Sequence, residues 1–467
     1  MKEFLDAIRV GVHGDRQRAV TALTEYSIKS QGRGLDLTQA DLSGLDLSGL
    51  DLRQAVLNRT SLYGTSLAGT DLRGAALVCA GLERTDFSGA KLNGAYVHAM
   101  SAQASKFVGA DLSNLVDATG SMFHGCDLSG ASLAGSVMAG TTFYQCGLTG
   151  TNFRNADLRG SAFNECTMES VDLSGCQLDD VGILRCNLKT ADFRAASGEN
   201  VSITRPTQAS GLILANAHLT RLRLDSVRAT EVDGRALRAP EMAIHRSHLS
   251  ECDLRSADFS RSQWVGVSLE QVKLGDASVA GACWANVSTH GLDAERLRGE
   301  GWAATECAFP GADLRAFAGR YATFRNCDMR GIDLRQAYLY RAVVVGDPPP
   351  SACLVGAKLD GANLTQAYLA ADFTNASVSG GWATYARVNQ SIFANADLAG
   401  TSLFHASAVK TDFTGARLDG QRGLLFADRC PGLIEALSGG ESDQDARIAE
   451  LVAELGQLLS RDSGKST

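Results

Sequence analysis

A leucine or phenylalanine returns at every fifth position over a long stretch of the chain: Leu37, Leu42, Leu47, Leu52, Leu57, Leu62, Leu67, Leu72, Leu77, Leu82, Phe87 and Leu92. A strand repeats every two residues and a helix every 3.6, so a period of five fits neither. The chain must turn a corner at each beat and wind into an all-β solenoid.

The neighbours of each central residue repeat as well. A small residue stands two places before it, Asp or Asn often one place before, and Gly often two places after, as in Ala40-Asp41-Leu42-Ser43-Gly44 and Thr85-Asp86-Phe87-Ser88-Gly89. The central and the small residue suit an interior, and the other three suit water. Gly accepts the backbone angles that a tight corner needs. Matching residues recur at twenty: Phe123, Phe143 and Phe163; Phe373, Phe393 and Phe413; Trp264 and Trp284. Like side chains stack on neighbouring coils, so four beats make one square turn.

This pattern resembles the pentapeptide-repeat family, whose motif is Ala-Asp/Asn-Leu/Phe-X-X. It stands nearly intact at Ala40-Asp41-Leu42, Ala110-Asp111-Leu112, Ala156-Asp157-Leu158, Ala257-Asp258-Phe259, Ala312-Asp313-Leu314, Ala362-Asn363-Leu364 and Ala396-Asp397-Leu398. The resemblance covers residues 35–423 and implies a right-handed quadrilateral β-helix. Coils at the strand spacing of about 4.8 Å would give roughly nineteen turns and a rod of about 90 Å.

Composition agrees, with 49 Gly, 7 Pro, 6% aromatic residues and a formal charge of -8. The start, Met1-Lys2-Glu3-Phe4-Leu5-Asp6, has no charged head before an apolar run, and no stretch suggests a membrane span. A cytoplasmic protein is expected. Of twelve cysteines, Cys126, Cys146, Cys166 and Cys186 lie twenty apart in the small inward slot, and Cys307 and Cys327 repeat the pattern. That placement reads as packing of a small apolar side chain, not a disulfide framework or a metal site.

The beat slips before Phe123, again before Leu214 and again before Phe373. Residues 114–122, 195–211, 225–243 and 285–308 carry it weakly, and 346–352 holds three successive prolines. These five stretches are expected to leave the wall as loops. The exposed ends of a solenoid need covers. Residues 1–34 read as a helical cap, with Phe4, Leu5, Ile8 and Val12 in a first piece and Ala19, Val20 and Leu23 in a second. At residues 424–467, Ser442 and Asp445 open a helix whose Ile448, Leu451, Leu455 and Leu458 either fold back on the last coil or pair two chains as a homodimer.

No phosphate loop, His-Glu-x-x-His or Cys-x-x-Cys motif is present, and no catalytic residue or cofactor is expected. His245, Arg246 and His248 read as polar residues on an exposed loop. Residues 35–200 hold 18 acidic against 11 basic side chains, whereas residues 201–420 hold 22 of each. Asp36, Asp41, Asp46 and Asp51 are therefore candidate interaction residues at the acidic end. Arg221, Arg223, Arg228, Arg235, Arg238 and Arg246 form a candidate basic patch for an acidic partner or a phosphate. Many Asp residues carry Arg two places on, as in Asp51-Leu52-Arg53 and Asp157-Leu158-Arg159, which would neutralise the wall.

The leading expectation is a rigid, non-catalytic scaffold that binds a protein partner, with no direct contact to nucleic acid. The family resemblance adds two alternatives. Relatives of the quinolone-resistance type are thought to imitate duplex DNA and occupy gyrase, which would make this chain a modulator of a type II topoisomerase. The other is an effector or accessory component of a specialised secretion machine, on analogy alone.

Overall fold

The computed structural model describes residues 16–30, 34–423 and 425–438, and it divides into two compact units, Met1–Asp253 and Leu254–Thr467. Both are parallel β-solenoids with four sides per coil. Leu37, Leu42, Leu47 and Leu52 centre the first, second, third and fourth sides of the opening coil, and each is buried.

In the first unit every side is held by the same two bonds. The central residue donates to the next coil, as Leu37 N–H does to the Val56 carbonyl at 2.8 Å, and Val56 N–H donates back to Leu35 at 2.8 Å. Corners are β-turns closed by bonds such as Ala40 N–H to Leu37 carbonyl at 2.9 Å. The residue before the closing amide takes a left-handed conformation, with φ 68° at Gly44 and φ 60° at Gln39. A positive φ at that place defines a type II turn, which explains the recurring Gly. The second side pairs in strict register, with Phe123 beside Phe143 and Phe143 beside Phe163. Their rings stack at 5.0 and 4.9 Å, so the ladder read at twenty is a continuous apolar column.

The small inward slot is polar in places yet satisfied. Thr65 Oγ1 donates to the Leu42 carbonyl at 2.8 Å, and Thr70 Oγ1 to Leu47 at 2.8 Å. Cysteine occupies the same slot with the same partner: Cys146 Sγ lies 3.3 Å from the Phe123 carbonyl and Cys176 Sγ 2.9 Å from that of Phe153. Burial pushes the Cys176 thiol up to about 12 and that of Cys252 to about 11, which favours the protonated form of both.

Helix α1, Arg16–Ser30, meets the opening coil of this unit. Leu23 is buried, and Ser27 Oγ both accepts from Asp51 N–H and donates to the Asp51 carbonyl, each at 2.9 Å. It thereby supplies the partner that a preceding coil would have given. Residues 1–15, with Phe4, Leu5, Ile8 and Val12, lie outside the described residues, as do Ile448, Leu451, Leu455 and Leu458.

Two of the stretches expected to leave the wall do not. Residues 225–243 carry Arg228–Thr230 in parallel pairing with His248–Ser250, and residues 285–308 carry Ser288–His290 and Ala303–Thr305. The beat fades there because the two inward positions exchange sizes. Val232 fills the small slot beside Gly234, Leu237 the slot beside Ala239, and Trp302 the slot beside Ala304, all three fillers being buried. Phe317 does the same between Gly299 and Gly319, where an added Cβ would sit 2.5 and 2.1 Å from its ring. Volume is conserved across the pair, so the coil continues while the leucine signal disappears.

The slips are absorbed without a domain break. Tyr96 pairs with Asp117 and Asn187 with Gln208, one residue more than a regular coil at residues 114–122 and 195–211. In the second unit, Asp328 pairs with Cys353 and Tyr338 with Asn363, because five extra residues around Pro348–Pro350 bulge from the corner between the second and third sides. One residue is then missing, and strand Tyr368–Asp372 runs straight through the same corner one coil later. The core of this unit is aromatic, with Trp264 stacked on Trp284 at 4.7 Å and Phe373, Phe393 and Phe413 in a column at 4.8 and 5.5 Å. A short helix α2, Leu433–Ser438, follows the last described strand.

Candidate interaction surface

The coil distributes the sequence-predicted residues in ways that a linear reading hides. Asp36, Asp41, Asp46 and Asp51 fall one on each side of a single coil, pointing away from one another. Each carboxylate accepts the amide two residues on, at 2.9 Å from Thr38, 3.0 Å from Ser43, 3.1 Å from Ser48 and 3.2 Å from Arg53. Asp51 is also paired with Arg53 at 2.6 Å, and that guanidinium holds its carboxyl below the usual range. Along the first side, Asp36 is followed coil by coil by Val56, Ala76 and Tyr96; along the fourth, Asp51 is followed by Asp71 and then by Lys91. These carboxylates make turns and local pairs, not an unbroken acidic row.

The arginines between 221 and 246 are dispersed too. Arg223 lies on the second side, Arg228 on the third, Arg235 on the fourth and Arg238 on the first, while Arg221 and Arg246 sit at corners. Arg221 pairs with Glu199, Arg235 with Asp233 at 2.8 Å and Arg246 with Asp225 at 2.8 Å. His245 and His248 are in strands Ala243–His245 and His248–Ser250 on adjoining sides, not on a loop. Among the described residues no cluster of His, Cys, Asp and Glu is arranged to hold a metal ion.

A different surface emerges within the second unit. On the first and second sides between residues 318 and 410, the outward positions hold Arg320, Arg325, Arg341, Arg387 and Lys410 and no carboxylate; Asp347 lies in the neighbouring bulge. The third and fourth sides of the same coils carry Asp328, Asp333, Asp360, Asp372, Asp397, Asp412 and Asp419. There, Asp328 clamps Arg330 and Asp333 clamps Arg335, each at 2.6 Å. Among the described residues, Arg320, Arg325, Arg341 and Arg387 form no such pair.

Aromatic rings take the place of the missing acids. The Arg320 guanidinium lies 4.7 Å from the centre of Tyr321 and 5.7 Å from that of Tyr340, and Arg341 lies 5.3 Å from Tyr340. Arg341 Nε donates to Gln366 Oε1 at 2.5 Å, and the Tyr340 hydroxyl donates to the same oxygen at 3.1 Å. Further along, Tyr385 stacks on His405 at 5.0 Å and His405 on Phe426 at 6.0 Å, with ring planes within 15° and 16° of parallel. Trp382 is 54% exposed, Tyr385 52% and Phe426 64%. Beside Tyr385 and His405 runs a groove of about 580 Å³ lined also by Arg341, Gln366, Tyr368 and Arg387. The sequence signal for it was present but folded: it shows only when outward residues are sorted by side.

A parallel solenoid whose sides are built from five-residue units, with an unneutralised aromatic and basic surface on one flank, defines a class of repeat protein with a rigid presenting wall. Family patterns described as "Pentapeptide repeats (8 copies)" match residues 36–74 and 384–420, and one described as "Pentapeptide repeat region" matches residues 116–193. The chain is a pentapeptide-repeat protein. No curated protein matches its sequence. Similar solved structures include QnrB1, a plasmid-mediated fluoroquinolone resistance protein, at 16% identity over 45% of this chain and 91% of that one, with a TM-score of 0.20. HetL, involved in heterocyst differentiation regulation in the cyanobacterium Nostoc, is 18% identical over 68% of this chain and 94% of its own, with a TM-score of 0.13. The tailspike protein of E. coli bacteriophage HK620 is 12% identical over 92% and 76%, with a TM-score of 0.23. At such overlaps none of their properties transfers on structural grounds.

Proposed function

We propose that this protein is a non-catalytic scaffold whose second unit docks a protein partner on the first and second sides of its coils. The reading is carried by one observation: between residues 318 and 410 these two sides present exposed Tyr, Trp, Phe and unpaired Arg with no carboxylate, beside two sides where Arg is clamped by Asp. Exposed aromatic and arginine side chains are the residue types that dominate protein interfaces. They also cost little to present here, because the coil fixes their backbone before any partner arrives.

Affinity capture from native cells tests it, using the wild-type chain, an Arg341→Ala/Tyr385→Ala variant and an Arg335→Ala control. A partner retained by wild type and control and lost by the double variant is expected. A partner retained equally by all three would overturn the assignment to this surface. The topoisomerase alternative has the acidic excess of residues 35–200 in its favour. The distribution of Asp36, Asp41, Asp46 and Asp51 around one coil weighs against an imitation of duplex DNA, which needs closely spaced negative charge along an axis. A supercoiling assay with and without a fluoroquinolone decides between them; neither inhibition nor protection is expected.

A further inference from the structure

We infer that the groove between Arg341 and Arg387 is a binding site for a carboxylate-rich segment of a protein partner. The inference rests on the docking role proposed above and names the chemistry of what docks. On the third and fourth sides of these coils Arg315, Arg330 and Arg335 are each held by the Asp two positions earlier, as in Asp313–Arg315 at 2.7 Å. Arg341 and Arg387 have no carboxylate of their own, yet both line one concavity with Tyr368, Tyr385, His405 and Gln366. An entering carboxylate would meet planar guanidinium donors of the kind that Arg315, Arg330 and Arg335 already offer to aspartate.

The rings select among anions. Tyr385, His405 and Phe426 turn their faces on one another along the coil-to-coil direction, so that ring edges face outward. An aromatic edge is the positive part of the ring quadrupole and favours an anion, whereas a nucleobase requires an open face to stack on. Guanidinium and ring edge thus point to the same guest, and the stack covers both faces of His405 and one face each of Tyr385 and Phe426, which leaves less ring face for a nucleobase. Two coil steps of about 4.8 Å separate Arg341 from Arg387, a span that an extended segment of about three residues covers.

The test uses the full chain and a short fluorescein-labelled peptide of alternating glutamate and glycine, followed by fluorescence anisotropy at low and high salt. Saturable binding that weakens with salt is expected, and Arg341→Ala/Arg387→Ala should weaken it roughly tenfold or more. Arg335→Ala, on the clamped side, should leave it unchanged. Both arginines are exposed, and circular dichroism of the double variant should match the wild type; an Arg387→Lys variant should retain part of the binding. The inference is overturned by no saturable binding, by binding indifferent to the double variant, or by oligo-dT bound more tightly through the same arginines. A dimer in sedimentation that the double variant dissolves would also overturn it, making a second copy of the chain the guest. Capture of a partner through this surface without binding of the acidic peptide would sink the acidic assignment alone. Absence of surface-dependent capture would sink the docking role as well.

Discussion

Two flanks of the same coils in the second unit solve the display of arginine in opposite ways. On the third and fourth sides, Asp328 and Arg330 or Asp333 and Arg335 form closed pairs two residues apart, and neither charge is left for a visitor. On the first and second sides, Arg320 and Arg341 lie over tyrosine rings and Arg387 borders the groove, with no pair among the described residues. Both flanks are built from the same five-residue sides, so the difference in charge lies in outward side chains and not in the core. What the core tolerates equally, function can distinguish.

The sharpest form of this contrast sets inner against outer aromatics. Trp284, fully buried on Trp264, should cost about 3–5 kcal/mol when changed to Ala, read as a shift in the urea midpoint by circular dichroism. Gly319→Val should cost about 1–3 kcal/mol by pressing on Phe317, and adding Phe317→Ala should return part of that loss. A Gly319 variant as stable as wild type would refute the exchange of sizes that keeps the coil intact there.

The clamped pairs should matter less. The Asp157 carboxyl is held below its ordinary value because Arg159 donates to it at 2.8 and 2.6 Å. A lowered carboxylate contributes stability above the ordinary value near ~4, and the contribution is lost as pH falls through the lower folded value. Asp157→Asn should therefore cost less than ~1 kcal/mol at neutral pH, less again at high salt, and nothing once acid has protonated the wild type. Thermal melts across pH would show the two curves converging. Smallest of all, Tyr385→Ala should leave stability within ~0.5 kcal/mol while weakening acidic-peptide binding. If it destabilises as much as Trp284→Ala, the outer aromatics belong to the fold and the contrast collapses.

Much of the fold was legible in order along the chain. The ladder Phe123, Phe143, Phe163 gave the coil, the Gly at corners gave the turn, and the slips before Phe123 and Phe373 marked real departures from twenty residues per coil. The prolines at 348–350 do mark a bulge. The weak beat at 285–308 misled because the reading assumed a large residue at the centre of each side, whereas packing requires only a constant volume across the centre and its neighbour, which Trp302 with Ala304 supplies. The candidate surface was illegible for another reason. Charges counted over residues 201–420 average opposite flanks to zero, and the arginines that share the groove, Arg341 and Arg387, are far apart in sequence. The arginines close in sequence, from Arg221 to Arg246, point to different sides.

The register of the coils also has a bearing on inheritance. Because Trp264 meets Trp284 and Phe373 meets Phe393 through bonds that recur between other regular turns, a copying error that duplicates or drops the coding stretch for one regular coil leaves the remaining hydrogen bonds with equivalent partners. Such an error would change which outward side chains are neighbours without disturbing what lies beneath them. New surfaces can be dealt from the same deck of coils without rebuilding the core.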